Sequence, residues 1–165
     1  MPIRPLILLA ALAACRATRL PAVQSATDPC VVERVTDGDT LRCTDGRRVR
    51  LIGIDAPERE QGGYERSRDG LLRLARPGST VRLEHDVTAL DRYGRTLAYV
   101  WVGDTLVNEL MVREGWAFLY TVPPNVRHEE RLRDAQRAAR DAGAGLWEGD
   151  GAACLPSEFR RGNCP

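Results

Sequence analysis

The sequence predicts an α+β domain: a five-stranded β-barrel, closed or nearly closed, carrying three α-helices. Three observations lead there. Residues 31–54 alternate apolar and polar positions in short runs separated by Asp-Gly turns, the pattern of a meander. Two further alternating runs, around 81–85 and 95–102, lie between the glycine-containing turns Pro77-Gly78 and Gly103-Asp104. Three other stretches repeat their apolar residues at helical spacing instead.

Taken in order, Val31–Val35 forms the first strand, Asp37-Gly38-Asp39 turns the chain, and Leu41–Cys43 returns. After Asp45-Gly46, Val49–Ile54 makes the third strand. Tyr64–Arg76 is a helix with Leu71, Leu72 and Ala75 on its apolar side, although Gly70 within it costs about 1 kcal/mol relative to alanine. Val81, Leu83 and His85 mark the fourth strand and Arg95–Val102 the fifth, with Asp91-Arg92-Tyr93-Gly94 as the loop before it. Leu106, Val107, Leu110 and Met111 give the second helix, ending near Gly115, and Trp116–Val122 is extended up to Pro123-Pro124. His128–Asp141 is the third helix; its apolar stripe of Leu132, Ala135 and Ala139 is narrow and predicts packing at the rim.

At 165 residues the chain is one domain's worth, and 43% apolar with 28% charged residues is ordinary for a globular protein. All 24 basic residues are arginine. A net charge of +1 argues against coating nucleic acid through bulk electrostatics, so any such contact has to come from a local cluster.

The N-terminus reads as an export signal spanning residues 1–14: a positive start, an apolar run from Pro5 to Ala14, then small residues. Leu12-Ala13-Ala14-Cys15 resembles a lipobox, which would make Cys15 the lipidated first residue of an envelope lipoprotein; ordinary cleavage nearby and secretion is the alternative. Residues 15–29 read as a tether, 30–149 as the domain, and 150–165 as a polar tail. In an oxidising compartment the four remaining cysteines form two disulfides. Four cysteines allow three pairings, of which the local one is Cys30–Cys43, stapling adjacent strands, with Cys154–Cys164, tying down the tail. No two of these cysteines have the close spacing of a zinc site.

Chemistry concentrates in Asp37-Gly38-Asp39-Thr40 and in Arg50 to Glu58, a strand that opens on an arginine and ends in two carboxylates around a proline. If adjacent strands bring Asp39 near Asp55, their repulsion calls for a proton or a hard cation with oxygen ligands. Arg50 and Arg95 would then offer guanidinium forks to a phosphate.

The order Asp-Gly-Asp-Thr, Arg-Leu-Ile-Gly-Ile-Asp-Ala-Pro-Glu and Asp-Arg-Tyr-Gly-Arg-Thr-Leu-Ala-Tyr resembles the thermonuclease family, typified by staphylococcal nuclease. Leu106-Val107-Asn108-Glu109, Arg113-Glu114-Gly115, Pro124-Asn125, His128-Glu129 and Leu146-Trp147 extend the resemblance over roughly residues 31–148. It implies an OB-like barrel and a calcium-dependent nuclease of low sequence preference acting as a monomer on DNA and RNA, leaving 3′-phosphorylated products. Asp39, Asp55 and the carbonyl of Ala56 would hold Ca2+. Glu58 would orient and deprotonate the attacking water, while Arg50 and Arg95 grip the phosphate. Arg92, Tyr93 and Tyr120 would contact the substrate. Where the family has a further tyrosine, this chain has Val122. Two other readings remain at this stage: a non-catalytic binding module on the same barrel, and a disulfide-stapled envelope protein whose charges are salt bridges.

Overall fold

A computed structural model describes residues 28–149 and 151–164. Cys15, the signal and most of the expected tether lie outside the described residues. Among the described residues eight strands form: β1 (Asp28–Asp37), β2 (Thr40–Cys43), β3 (Arg48–Leu51), β4 (Gly53–Asp55), β5 (Thr80–Glu84), β6 (Thr96–Val102), β7 (Thr105–Leu106) and β8 (Phe118–Tyr120). The helices are α1 (Tyr64–Leu74), α2 (Val107–Arg113), α3 (Glu129–Asp141) and the short α4 (Pro156–Phe159), with a 3-10 turn at Gly145–Trp147.

β1, β2, β3, β5 and β6 make the expected five-stranded barrel. Their order is β3-β2-β1-β5-β6, antiparallel throughout, and a parallel pairing of β3 with β6 closes it, with Val49 opposite Thr96 and Leu51 opposite Ala98. The inward positions Val32, Leu41, Val49, Leu51, Val81, Leu83, Ala98 and Val100 form the core, as period-two alternation requires. Cys30–Cys43 bridges β1 and β2 with 5.5 Å between Cα atoms, and Cys154–Cys164 closes the tail at 5.7 Å. Both pairings follow the local reading of the sequence. β1 begins at Asp28, so the last two residues assigned to the tether belong to a strand.

Two expectations need correction. The third strand does not run unbroken to Ile54. At Gly53 the backbone takes φ +80°, and a Cβ there would come within 2.5 Å of Leu132 Cδ1. Beyond this kink the chain leaves the barrel as β4 and pairs with β8, Ile54 facing Leu119 and Asp55 facing Phe118. Nor is α3 confined to the rim, because Leu132 and Ala135 are fully buried and belong to the central core. The large Leu132 reaches the centre through the space that Gly53 leaves open. Gly70 has a similar reason: a side chain at that point would strike the Trp116 ring at 2.8 Å. Its helix-propensity cost admits the close contact between α1 and Trp116. The polar tail also folds further than its sequence indicated, into α4. Among the described residues, no helix is long and apolar enough to cross a membrane.

Candidate active site

The turn between β1 and β2 presents Asp39. Its backbone amide donates to Asp37 Oδ1 at 3.1 Å, and Gly38 packs so tightly that a Cβ would fall 1.8 Å from Ser67 Oγ on α1. Helix α1 therefore seats directly on the turn. Asp39 is buried, with Oδ2 accepting the amide of Ala56 at 2.9 Å and Oδ1 accepting the hydroxyl of Thr40 at 2.9 Å. The expected partner of this loop, the strand carrying Asp55, is thus held to it by backbone as well as by charge.

Arg50 joins the two acids. Thr40 and Arg50 are register partners on β2 and β3, which sets the guanidinium beside the turn. Its Nη2 lies 3.0 Å from Asp39 Oδ2 and 3.2 Å from Asp55 Oδ1, while Nη1 donates to the carbonyl of Ile54 at 2.8 Å. Arg50 is largely buried, far from the exposed surface salt bridge that most arginines make. Asp55 is brought there by the kink at Gly53, without which β3 would carry it onward along the barrel wall.

A cleft of about 260 Å³ opens over this group, lined by Asp39, Arg50, Ala56, Glu58 and Arg95 among others. Arg95 enters from the loop before β6. Asp91 fixes it, taking its Nε at 2.7 Å and its backbone amide at 2.9 Å, and also accepts the amide of Tyr93 at 2.9 Å. Burial raises the proton affinity of Asp91, but these bonds more than offset it and hold the acid below the usual carboxylate range.

Arg50 and Arg95 also form one wall of a larger groove of about 590 Å³, which holds Arg92, Tyr93, Tyr120 and Val122. All three residues expected to contact substrate thus share one surface continuous with the acidic cleft. Tyr93 is exposed, with the Arg92 guanidinium 4.8 Å from its ring centroid and that of Arg95 at 5.7 Å. Acidic chemistry, phosphate-sized guanidinium forks and aromatic faces meet along a single path.

A profile of the family described as Staphylococcal nuclease homologue matches residues 48–149, which include Arg50, Asp55, Glu58 and Arg95. The chain belongs to that family. It is 38% identical over 126 residues to a Thermonuclease of Staphylococcus intermedius, covering 72% of this chain and 75% of that protein. An Uncharacterized endonuclease of Haemophilus influenzae is 36% identical over 156 residues, covering 87% and 79%. A Micrococcal nuclease of Shigella flexneri is 38% identical over 146 residues, covering 79% of each.

Within this staphylococcal nuclease homologue the donor chemistry suits a hard cation. Among the described residues no three acidic, histidine or cysteine side chains form a ready cage. Asp39 and Asp55 nevertheless reach the same guanidinium nitrogen, and both offer hard oxygens. Burial pushes the Asp55 carboxyl up in spite of Arg160 and Arg50 beside it. Asp37, in the same cleft, is pushed up to about 7, first by burial and then by the charge of Asp39. Ala56 contributes its amide to Asp39, and no threonine hydroxyl is needed for that bond.

Sequence reasoning missed four residues that build this site. Asp91 opens the Asp-Arg-Tyr-Gly-Arg motif but carries no expected role there, yet it aims Arg95. Asn108 braces the kink, its Oδ1 accepting the Val100 amide and its Nδ2 donating to the Ile52 carbonyl, each at 2.8 Å. Gln61 accepts the amide of Glu58 at 3.1 Å and donates to the carbonyl of Cys154 at 2.6 Å. Arg160 reaches in from the tail: Nη1 lies 2.6 Å from Glu58 Oε1 and 3.2 Å from Asp55 Oδ1, and Nη2 lies 2.8 Å from Asp55 Oδ2. No pattern in the sequence connects that tail to the acids.

Proposed function

We propose that the chain is a calcium-dependent nuclease that hydrolyses phosphodiester bonds in DNA and RNA with little sequence preference, leaving 3′-phosphorylated fragments. The observation that carries this reading is Arg50, which bridges Asp39 and Asp55 where the acidic cleft meets the aromatic groove. The relatives named as nucleases support the same conclusion.

Asp39, Asp55 and the Ala56 carbonyl are the groups that would hold Ca2+, which when bound supplies positive charge to polarise the scissile phosphate. The remaining chemistry belongs to the chain. Glu58 orients a water and takes its proton on a carboxylate oxygen as the water oxygen attacks phosphorus; the bond to the 5′ oxygen breaks, that oxygen takes a proton from solvent and departs as a 5′-hydroxyl, and the phosphate stays on the 3′ side. Arg50 and Arg95 donate to the non-bridging oxygens as charge builds there, and neither loses its proton near neutral pH. Arg92, Tyr93 and Tyr120 carry the flanking nucleotides, Tyr93 through its exposed ring.

Incubation of plasmid DNA and of RNA with calcium, against an EDTA control, tests the reading, with end analysis for the 3′-phosphate. Cleavage should vanish in EDTA and fall by orders of magnitude in Glu58→Ala and Arg95→Ala. Full activity in EDTA would remove the metal from the mechanism.

We also propose that residues 1–14 direct export and that Cys15 carries the lipid anchoring the domain, through residues 16–27, in the cell envelope. The two disulfides support an oxidising compartment. Mass spectrometry of the envelope fraction should find diacylglycerol on Cys15; an unmodified N-terminus further along the chain would exclude it.

A further inference from the structure

The tail makes a specific and economical contact. Residues 154–164 form a loop closed by Cys154–Cys164, with α4 inside it and Arg160 on the turn that follows, where its amide donates to the Pro156 carbonyl at 3.0 Å. A four-residue helix is not stable alone, so the closed loop and its docking hold Arg160 in place. Docking runs through Gln61, which binds the Cys154 carbonyl with one end of its amide and the Glu58 amide with the other. Pro156 is buried. The rest of the loop satisfies itself: Glu158 takes Asn163 and Arg161. Arg160 alone among the tail's arginines points at the domain's acids.

What it meets is decisive. Asp55 is almost wholly buried, and both of its carboxylate oxygens are engaged: Oδ1 by Arg50 and Arg160, Oδ2 by Arg160. Glu58 gives an oxygen to the same guanidinium. One side chain thus neutralises both the acid assigned to the metal and the acid assigned to the water. A cation that takes Asp55 through its carboxylate and a guanidinium that occupies both its oxygens exclude one another.

We infer that Arg160, presented by the disulfide-closed tail, is a built-in competitor of the divalent cation for Asp55 and Glu58, so that cation binding and tail docking are mutually exclusive states of the protein. The inference rests on the metal assignment made above. Because coupling between two binding events is reciprocal, the tail weakens cation affinity by the same factor by which the cation loosens the tail. Tethering matters, since a guanidinium held at high effective concentration competes far better than one free in solution.

The test is calcium titration by calorimetry on the full chain, its Arg160→Ala and Arg160→Gln variants, the Cys154→Ser/Cys164→Ser pair and Asp55→Asn. Amide exchange over residues 155–163 is measured with and without calcium. Both Arg160 variants should bind calcium more tightly by roughly 5- to 150-fold, the range of ordinary site-to-site coupling. The serine pair should move the same way by a smaller factor. Calcium should speed exchange in the wild-type tail. Binding seen in Arg160→Gln but not in the wild type would support the inference more strongly still. If Asp55→Asn abolishes binding while both Arg160 variants keep wild-type affinity, competition is wrong and the metal assignment stands. If Asp55→Asn binds as the wild type does, or if neither wild type nor Arg160→Gln binds, the metal assignment itself has failed and the inference falls with it.

Discussion

Asn108 on α2 donates to the carbonyl of Ile52 at 2.8 Å, one residue before Gly53, where the chain turns out of the barrel toward Asp55. The same amide group accepts the Val100 N–H from β6, so one fully buried side chain satisfies one main-chain group on β6 and one in the link between β3 and β4. Replacing it with alanine leaves both without partners. Asn108→Ala should cost about 2–6 kcal/mol, since each of the two buried unsatisfied groups costs about 1–3 kcal/mol. Urea unfolding reads the loss, and an unchanged midpoint would show that water or another side chain replaces the amide.

Asp91 bears on the proposed phosphate site only through Arg95, whose Nε and backbone amide it holds. Asp91→Asn keeps an acceptor for the backbone amides but removes the charge that fixes the guanidinium. Activity should fall by about ten- to a hundredfold, the scale expected when a catalytic group is misplaced by around an ångström. Thermal unfolding should shift little. Equal kcat/KM in the variant and wild type would show that Arg95 needs no such support.

The disulfide between β1 and β2 closes a loop with a sequence separation of 13. Chain entropy then assigns it about 3 kcal/mol. Cys30→Ser/Cys43→Ser should lower the urea midpoint accordingly, with the slope of the transition showing any change in the compactness of the unfolded state. A midpoint within error of the wild type would mean that barrel closure already imposes the same constraint.

Acid should destabilise the domain through Glu84 and Asp28. Burial pushes Glu84 up, but bonds from Arg127, His128 and Trp101 outweigh it and the net proton affinity falls. Asp28 behaves likewise, burial being offset by His85 and Arg47. Acids whose pKa drops on folding add stability that is complete above the unfolded value of about 4 and is lost as pH falls through the lower folded values. Below about pH 4 the melting temperature should therefore drop steeply, less steeply in Glu84→Gln, whereas the raised Asp37 and Asp55 carboxyls take up protons on folding and favour the fold as pH falls from neutral toward about 5. Parallel profiles for the two proteins would exclude Glu84 as a contributor.

Much of this architecture is written locally, and the rest is not. Alternation and Asp-Gly turns disclose β1, β2 and β5 because each strand's inner face is set by its own residues. The break at Gly53 is hidden, since an apolar run with one glycine looks the same whether it continues or turns aside. Leu132, Ala135 and Ala139 reveal that α3 has a buried face but not that Leu132 would find a path to the centre. Arg50, Asp55 and Glu58 stand out because charges gathered at strand ends are poor material for stability alone. Arg160 does not stand out at all: it meets Asp55 across a sequence separation of 105, and arginines are common throughout this chain.

Closing the cylinder by setting β3 alongside β6 has a cost in time. The ring is complete only when the polypeptide has run to Val102, because no earlier segment can cover the outer edge of β3. Until then the first three strands form an open ribbon whose outermost amides and carbonyls invite any passing chain to pair with them. A nascent molecule therefore gains little by folding piecemeal, since the barrel can close only once β6 is present.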